Sequence, residues 1–459
     1  MTTTQSDLLR DAHEHLLLHF ARNGDIGASA DGLLVLDRGE GPYVFDIAGE
    51  RYFDALSCLF CAQIGYSYGE EMAAASAGQL TRLAFNTNWA TAHPPAIELA
   101  TRLAALAPGE INKAFFTCGG SESVEAAWKI ARQYHIGNGQ PERTKVIARD
   151  RAYHGVTLGA LSMTGVPAFK TPFGPPPIPV RHVSWTNQFR PVDGLAGEAL
   201  TARLLAEVES VIDEEGADTV AAIIAEPMQN AGGCLEPPPG YWPGLRTIAD
   251  RHGIVLIADE VITGFGRLGH WFGSERYDAQ PDVITVAKGL TSAYMPMGAV
   301  LLSDRIAEPL YKRGATLLHG ITFGGHPVAA TVALKNLEIF ERDGILENVR
   351  AQEPQLAQRL NELRELPIVG DVRGAGFFWA FELCADADGG RFDAEQRERL
   401  IKQFLPHRLR EARLIARADD RGDSVLQIAP PLIADAGQLD AMVDSLADVL
   451  RDAGEEMGV

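Results

Sequence analysis

Cysteine, basic residues and long apolar runs are all scarce in this sequence. Its 5 Cys among 459 residues are too few for a disulfide scaffold. Lys and Arg number 41 against 61 Asp and Glu, and this acidic balance disfavours binding to nucleic acid or to an anionic membrane surface. No apolar run approaches the roughly 20 residues that span a bilayer, and no basic stretch precedes an apolar core near residue 1. These shortages predict a reduced, cytoplasmic protein without a nucleic-acid or membrane partner.

Two of the cysteines, Cys58 and Cys61, form a C-x-x-C pair in the stretch LSCLFCAQ. This spacing is typical of redox pairs and of metal sites. No second pair and no nearby histidine completes a metal site, so we favour two small apolar side chains in a buried segment. The sequence therefore predicts no bound metal.

Short apolar, β-branched runs alternate with helical patterns between residues 112 and 303. Such runs are typical of strands in a mostly parallel sheet that helices cover on both faces, which is an α/β fold. Proline-rich stretches at 171–180 and 236–240 are interpreted as ordered loops. The predicted strands are 113–118, 144–150, 220–227, 253–260, 282–289 and 298–304.

The pattern changes after residue 326, where two long helical patterns (326–343 and 345–366) begin. Strand-like segments at 374–383 and 423–433 and a final amphipathic helix over 436–454 follow. We predict a large domain over residues 56–325 and a smaller α+β domain from residues 1–55 and 326–459. The N-terminal part of the small domain begins with a short amphipathic helix, marked by Leu8, Leu9, Ala12, Leu16 and Phe20.

Polar residues interrupt the apolar runs at their C-terminal ends. Asp150, Glu226, Asp259 and Lys288 each close one run, and CGGSES (118–123) follows the first. Parallel strands end at one edge of their sheet, where ligands bind in folds of this kind. The sequence therefore predicts one site at this edge.

The segment FFTCGGSESVEAAWKIARQYH (115–135) predicts a strand, a tight turn and a helix. Gly119 and Gly120 allow a ligand to approach the backbone closely, and Ser121 adds a hydroxyl at the helix start. Free N–H groups at a helix N-terminus bind phosphate, although glycine and serine are also common in ordinary βα turns. The segment is not G-x-x-x-x-G-K-[ST], so a nucleoside triphosphate is not indicated, and it is not G-x-G-x-x-G either.

Other polar residues at this edge have both a functional and a structural interpretation. Tyr153 and His154 follow a strand end, where an aromatic ring can stack on a planar ligand or simply line a loop. Asp259 and Glu260 end a buried strand, where a carboxylate needs a hydrogen-bonding or positive partner such as Arg267 or caps the next turn, and Glu226 stands in a similar place.

Lys288 decides between these interpretations. Alone, it would be a strand-end lysine that extends to solvent. With an aspartate, an aromatic ring and a phosphate-binding helix start at the same sheet edge, it meets the needs of pyridoxal phosphate. A desolvated lysine amine bonds this cofactor covalently, and an aspartate keeps the pyridine nitrogen protonated.

The motifs resemble those of class III pyridoxal-phosphate aminotransferases, the ω-amino-acid and amine:pyruvate group. The similarity extends over nearly the whole chain, from GPYVFDIAGERYFDALS (41–57) to QIAPPLI (427–433). It implies fold type I, like that of aspartate aminotransferase, in a homodimer with shared active sites or a tetramer. It also implies a transaminase that moves an amino group from an amine or ω-amino acid to an oxo-acid, pyruvate, through alternating PLP and PMP forms. The motifs are FFTCGGSESVEAAWKIAR, AYHGVTLGALSMTG, AEPMQNAGG, LIADEVITGFGRLG, DVITVAKGLTSAYMPMGAV and HGITFGGHPVAAT.

The resemblance also assigns roles to individual residues. Lys288 would be the Schiff-base lysine and Asp259 the partner of the pyridine nitrogen, with Glu226 helping to position Asp259. Further cofactor contacts would be Gly120 and Ser121 at the phosphate, Tyr153 as the stacking ring with His154 next to it, Val261 below the ring, and Thr322 at the phosphate of the neighbouring subunit's cofactor. The walls of the substrate pocket would be Leu59, Phe60, Asn88, Trp89 and Ala231.

The sequence departs from the family in LIARADDRGDSVLQIAPPL (414–432). Many relatives carry an arginine here that binds a substrate carboxylate and moves aside for uncharged amines. Arg417 fits that position, but the longer loop makes Arg421 a rival, and we favour Arg417. The fork of an arginine pairs with both carboxylate oxygens. A surface ion pair with Asp419 or Asp420 is the alternative for either arginine.

Two other functions are compatible with parts of this pattern. An aminomutase or a decarboxylase of the same fold shares Lys288 and Asp259, so the motifs do not separate these reactions. A non-catalytic binding protein that kept the fold is expected to have lost the lysine or the aspartate, and both are present.

Overall fold

The structure is a computed structural model that describes residues 5–24 and 33–459. Residues 1–4 and 25–32, which belong to the predicted small domain, lie outside the described residues. The predicted N-terminal helix is present but ends at His15, so Leu16 and Phe20 follow it and are exposed. The first elements are α1 (Gln5–His15) and the antiparallel strands β1 (Leu36–Glu40), β2 (Tyr43–Asp46) and β3 (Arg51–Phe53).

The central part of the chain forms a seven-stranded sheet with helices on both faces. Its strands are β4 (Ile111–Thr117), β5 (Lys145–Arg149), β6 (Val180–Val183), β7 (Val220–Ala225), β8 (Val255–Asp259), β9 (Val283–Val286) and β10 (Gly298–Ser303). Its helices are α2 (Ser57–Phe60), α3 (Gly69–Arg82), α4 (Pro94–Leu106), α5 (Gly120–Gly137), α6 (Leu158–Met163), α7 (Pro167–Lys170), α8 (Gly197–Glu215), α9 (Tyr241–His252), α10 (Gly273–Arg276) and α11 (Asp304–Ala307).

The order of the strands in this sheet is β4-β10-β9-β8-β7-β5-β6. Strand β10 is antiparallel to both of its neighbours, and the other neighbouring pairs are parallel. The predicted α/β class with a mostly parallel sheet is thus confirmed. The parallel strands β5, β7, β8 and β9 end at the same edge of the sheet.

The central strands read as continuous apolar runs because both of their faces are covered. In β8, Val255 and Ile257 pack in the same cluster as Ile130 of α5. Leu256, between them, packs in the opposite cluster with Leu245 of α9. Successive side chains of a strand point to opposite faces, so a strand between two helical layers has no polar face.

Strand β6 is an element that the sequence analysis did not predict. It pairs in parallel with β5, with Val146 opposite Val180. It is a short edge strand that directly follows the proline-rich stretch assigned to a loop. Proline has no backbone N–H to donate to a neighbouring strand, so a proline-rich stretch predicts a loop. A short edge strand can still begin next to it, which is why the sequence analysis did not predict β6.

The C-terminal part contains a four-stranded antiparallel sheet in the order β11-β12-β14-β13, made of β11 (Val369–Ala375), β12 (Phe378–Leu383), β13 (Arg417–Asp419) and β14 (Val425–Ile428). The segment 374–383, predicted as one strand, instead contains the turn between β11 and β12, where Gly376 has a φ of +55° that favours glycine. The helices are α12 (Pro327–Arg342), α13 (Ile345–Glu362), α14 (Ala394–Arg397), α15 (Leu405–Glu411) and α16 (Ala436–Met457), with a π-helical segment at Glu398–Phe404. No helix of the described residues is long and apolar enough to cross a membrane.

Candidate active site

A pocket of about 150 Å³ lies where the parallel strands end. It brings together most of the residues that the sequence analysis placed at this edge. The exception among the strand-end residues is Asp150, whose backbone N–H instead donates to Val183 O at 2.7 Å. The lining residues are Leu59, Gly120, Ser121, Tyr153, His154, Gly155, Glu226, Met228, Asp259, Val261, Ile262, Thr263 and Lys288.

Lys288 begins a turn one residue after the end of β9 and lines the pocket. Its φ of +42° is in the left-handed region, which costs a residue with a side chain roughly 1–2 kcal/mol. Burial lowers the pKa of its ammonium. In the part of the chain that the structure describes, no ion pair compensates this amine, and Nζ lies 5.6 Å from the centre of the Phe60 ring. A strained, desolvated and unpaired lysine is suited to nucleophilic chemistry.

Asp259, the last residue of β8, has both carboxylate oxygens occupied by donors. Oδ2 accepts from His154 Nδ1 at 2.7 Å, and Oδ1 accepts from Val261 N–H and Thr285 Oγ1, both at 3.1 Å. A carboxylate only accepts, so Nδ1 of His154 carries the proton. The other ring nitrogen of His154 is buried and has no partner among the described residues. These contacts fix the orientation of the Asp259 carboxylate in the pocket.

Thr285 is a positioning residue that the sequence analysis missed. It is fully buried in β9 and is the register partner of Asp259 in the parallel pairing of β8 and β9. The sequence shows a threonine within the apolar run DVITVAKG, but only the register places it beside the aspartate.

Glu226 contacts the backbone near the pocket. Its carboxylate accepts from Tyr153 N–H at 3.3 Å and from Asn230 N–H at 2.9 Å, and burial raises its pKa. In the described structure it makes no hydrogen bond to Asp259. Glu226 thus holds the backbone of Tyr153, which precedes His154, and the nearby charge of Asp259 adds to the rise in the pKa of Glu226.

The start of α5 forms one end of the pocket. Gly119 precedes the helix and offers no side-chain cap, so the first N–H groups of α5 are left for a ligand. A Cβ at Gly120 would lie 2.9 Å from Cγ1 of Val261, so a side chain does not fit there. Ser121 Oγ accepts from Val156 N–H at 3.1 Å. This end can bind an anionic group such as a phosphate.

Several residues predicted for the substrate pocket or the neighbouring cofactor lie outside this pocket. Ala231 is fully buried, and the side chain of Asn88 donates to Gly324 O at 2.9 Å. Trp89 is 61% exposed, and Thr322 is exposed as well. Phe60 is buried directly behind Leu59, which does line the pocket.

The two rival arginines differ in how they are paired. Arg421 is buried and binds Asp419 with Nε, at 2.7 Å, with Nη2 and with its backbone N–H. Nε of Arg417 is 3.6 Å from Asp419, and its guanidinium carbon is 6.0 Å from the centre of the Phe60 ring. Burial lowers the pKa of Arg417 to about 10, and the charge of Arg421 adds to this effect. Arg417 thus keeps donors for another anion.

The pair Cys58 and Cys61 is only partly buried, contrary to our expectation of a buried segment, since Cys58 is exposed and Cys61 half-buried. Even so, the surrounding protein desolvates both thiols, which raises the pKa of Cys58 to about 11 and also raises that of Cys61. Thiols with raised pKa values are poor nucleophiles and poor metal ligands. Within residues 5–24 and 33–459, no group of His, Cys, Asp or Glu is arranged to hold a metal ion.

The pocket fits pyridoxal 5′-phosphate. It offers an unpaired amine at Lys288, a carboxylate fixed in place at Asp259, an aromatic ring at Tyr153 and an uncapped helix start at Gly120, and these are the groups that bind this cofactor. The class of protein defined by this fold and site is a pyridoxal-phosphate enzyme of fold type I.

Comparison with known proteins agrees with the geometry. Residues 27–450 match the family of class III aminotransferases, so this chain belongs to that family and is a pyridoxal-phosphate-dependent transaminase. A probable aminotransferase of Mycobacterium tuberculosis is 47% identical over 96% of this chain and 94% of the relative. A putrescine–pyruvate aminotransferase of Pseudomonas aeruginosa is 39% identical over 90% of this chain and 89% of the relative.

Among solved structures, an (S)-enantioselective omega-transaminase from Thermomicrobium roseum has a similar fold. It superposes with a TM-score of 0.94 at 42% identity, covering 99% of this chain and 100% of the other. The similarity therefore includes both the large sheet and the C-terminal part.

Proposed function

We propose that this transaminase takes its amino group from a primary amine or an ω-amino acid and delivers it to pyruvate. The observation that carries the proposal is the desolvated amine of Lys288, which shares a pocket with the fixed carboxylate of Asp259. The similarity to a putrescine–pyruvate aminotransferase supports the choice of amine donor and acceptor.

The cofactor, when bound, withdraws electrons from the substrate carbon next to the nitrogen and so makes its proton removable. Lys288 Nζ, whose pKa is lowered by burial, takes this proton and returns it as general base and acid. Asp259 would hold the ring nitrogen, and the first N–H groups of α5, with Ser121, the phosphate. Tyr153 and Val261 would contact the two faces of the ring.

The substrate side is proposed to consist of Leu59, Phe60 and Arg417, with Arg417 as the carboxylate ligand. This choice is supported by the ion pair of Arg421 with Asp419, which already occupies Nε and Nη2 of Arg421. Phe60, whose ring lies next to Arg417, and Leu59, which lines the pocket, offer apolar surface to the hydrocarbon part of an amine.

We further propose a homodimer, or a tetramer of two such dimers, in the cytoplasm. Trp89, Thr322 and Phe323 lie exposed on one surface, where segment 85–89 packs against segment 320–326. A second copy that covers this surface would bring Asn88, Trp89 and Thr322 next to an active site. Exposed aromatic side chains such as Trp89 and Phe323 on one surface favour such an association.

The domain division is proposed as 56–325 for the large domain and 1–55 with 326–459 for the small one. It is supported by backbone hydrogen bonds from Phe53 N–H to Arg413 O and from Ile415 N–H to Phe53 O, both at 2.9 Å. These bonds join the N-terminal segment to the C-terminal part.

The test is turnover of an amine with pyruvate by the purified holoprotein. We expect equal amounts of alanine and of the carbonyl product, and a loss of several orders of magnitude in Lys288→Ala together with the visible absorption of the bound cofactor. Lys170→Ala, in which another partly desolvated lysine is removed outside the pocket, is the matched control. Full turnover of Lys288→Ala, or release of carbon dioxide in place of amino transfer, would contradict the proposal.

A further inference from the structure

Three charged residues, Arg417, Asp419 and Arg421, form a cluster beside the pocket, here called the charged wall, and this wall reaches the pocket through Tyr153, which lines it. The guanidinium carbon of Arg421 is 5.7 Å from the centre of the Tyr153 ring, and that of Arg417 is 6.0 Å from the centre of the Phe60 ring. Asp419 lies between the two arginines and is buried. The wall therefore combines two positive charges with one negative charge.

The single carboxylate of this cluster is shared unequally. Asp419 accepts from the Nε, Nη2 and backbone N–H of Arg421, whereas Nε of Arg417 is 3.6 Å away. Burial works against ionisation of Asp419, but the two guanidiniums outweigh it and lower its pKa. Asp419 thus cancels the charge of Arg421 and restrains Arg417 only weakly.

The neighbouring acidic residues do not replace Asp419. Asp420 pairs with Lys402 at 2.8 Å, and Asp423 pairs with Arg391 and, at 3.4 Å, with Arg190. Among the described residues, Asp419 is the only carboxylate in an ion pair with Arg417 or Arg421. The positive charge that a substrate meets at this wall therefore depends on Asp419.

We propose that Asp419 determines the substrate specificity of this pocket by setting its charge. With Asp419 ionised, the wall presents the equivalent of one guanidinium, which attracts a carboxylate but still tolerates an amine with an uncharged or cationic tail. Without that charge, two guanidiniums would favour carboxylates and repel cationic tails. The inference rests on the proposed function, because it concerns the substrates of the same site.

The first test is Asp419→Asn, in which the amide oxygen can still accept from Arg421 N–H. We expect the KM for pyruvate and for β-alanine to fall about fivefold, and the KM for putrescine to rise by a similar factor. This size is typical of removing one negative charge near a bound substrate when solvent and salt partly screen that charge. The kcat should change much less than either KM, because the residue does not touch the reacting atoms.

The second test is Arg421→Gln, which removes the partner of Asp419. Asp419 is then free to neutralise Arg417, so the KM for pyruvate and β-alanine should rise and that for putrescine should fall. Shifts in opposite directions for the two variants cannot arise from loosened packing, which would impair both in the same way. Asp420→Asn is the matched control: its ion pair is with Lys402 and its effect on Arg417 is weaker than that of Asp419, so both KM values should shift much less.

The ratio of the KM values for putrescine and pyruvate is the readout. Equal ratios in the wild type, Asp419→Asn and Arg421→Gln, or shifts in the same direction, would overturn the inference. A wild-type protein that transfers no amino group to pyruvate would instead refute the proposed function, so the two failures are distinguishable.

Discussion

The two sides of the pocket are built differently. On the side of Asp259, each carboxylate oxygen is bonded to donors, and both His154 and Thr285 are buried. On the other side, Leu59 is 51% exposed and Arg417 is held by one ion pair of 3.6 Å. The proposed cofactor side is thus fixed by hydrogen bonds to buried side chains, whereas the proposed substrate side consists of side chains that can rearrange.

The largest effect is expected from Asp259→Asn. An amide can no longer act as the negative partner of a protonated ring nitrogen, so kcat should fall on the order of 10²–10³-fold. Single-turnover kinetics of the holoenzyme with an amine donor measure this step directly. Retention of more than a tenth of the wild-type rate would show that the fixed side is not the one on which the chemistry depends.

Thr285→Val should cost less, because His154 and Val261 N–H still hold the aspartate. Loss of one hydrogen bond to a charged group predicts about tenfold weaker binding of pyridoxal 5′-phosphate to the apoprotein. A pH titration of the bound cofactor's absorption should shift as well, and Thr285→Ser should restore both values.

Thr201→Val is the control for Thr285→Val, because Thr201 is a buried threonine of α8 that donates to Pro239 O at 2.8 Å, far from the pocket. If both valine variants lose the same amount of affinity for the cofactor, the role of Thr285 is general packing and not positioning.

Phe60→Leu tests the proposed substrate side of the pocket. The variant loses the edge-to-face contact with Phe378, whose ring centre is 5.6 Å away, so the free energy of unfolding should fall by about 1–2 kcal/mol. Urea denaturation measures this value, and equilibrium titration should show a smaller change in cofactor affinity than for Thr285→Val. If Phe60→Leu weakened cofactor binding more than Thr285→Val, the proposed difference between the two sides of the pocket would be wrong.

Cys58→Ser should have the smallest effect. The raised pKa of this thiol predicts a steady-state rate within about twofold of wild type, before and after treatment with oxidised glutathione. Inactivation of the wild type by oxidised glutathione, with protection in the variant, would instead identify Cys58 and Cys61 as a redox pair.

The sequence predicted the parts of the site that follow from strand ends. Lys288, Asp259 and the turn before α5 each end an apolar run, and parallel strands must bring such ends together. It did not reveal Thr285, whose partner depends on the register of two strands 26 residues apart. Nor could it show that Arg421 binds Asp419 and Arg417 does so only weakly, because this pairing depends on the conformation of the turn after β13.

Side chains that face outward were the least accessible to prediction. The roles given to Asn88, Trp89 and Thr322 depend on a neighbouring subunit, and they stay predictions. The short strand β6 was missed because the neighbouring prolines indicated a loop. The turn at Gly376 was missed because the apolar residues on both sides of it were read as one strand.

The left-handed turn at Lys288 has a consequence for the rate of repeated cycles. Because φ is +42° and only one residue separates Lys288 from a buried strand, the backbone that carries its amine has few alternative conformations. In its proposed role as Schiff-base lysine, the residue would return its amine to the same region after each turnover, which would keep the effective concentration of the amine at the reacting carbon high. The strain at this one residue would then be the cost of holding the proposed nucleophile in position.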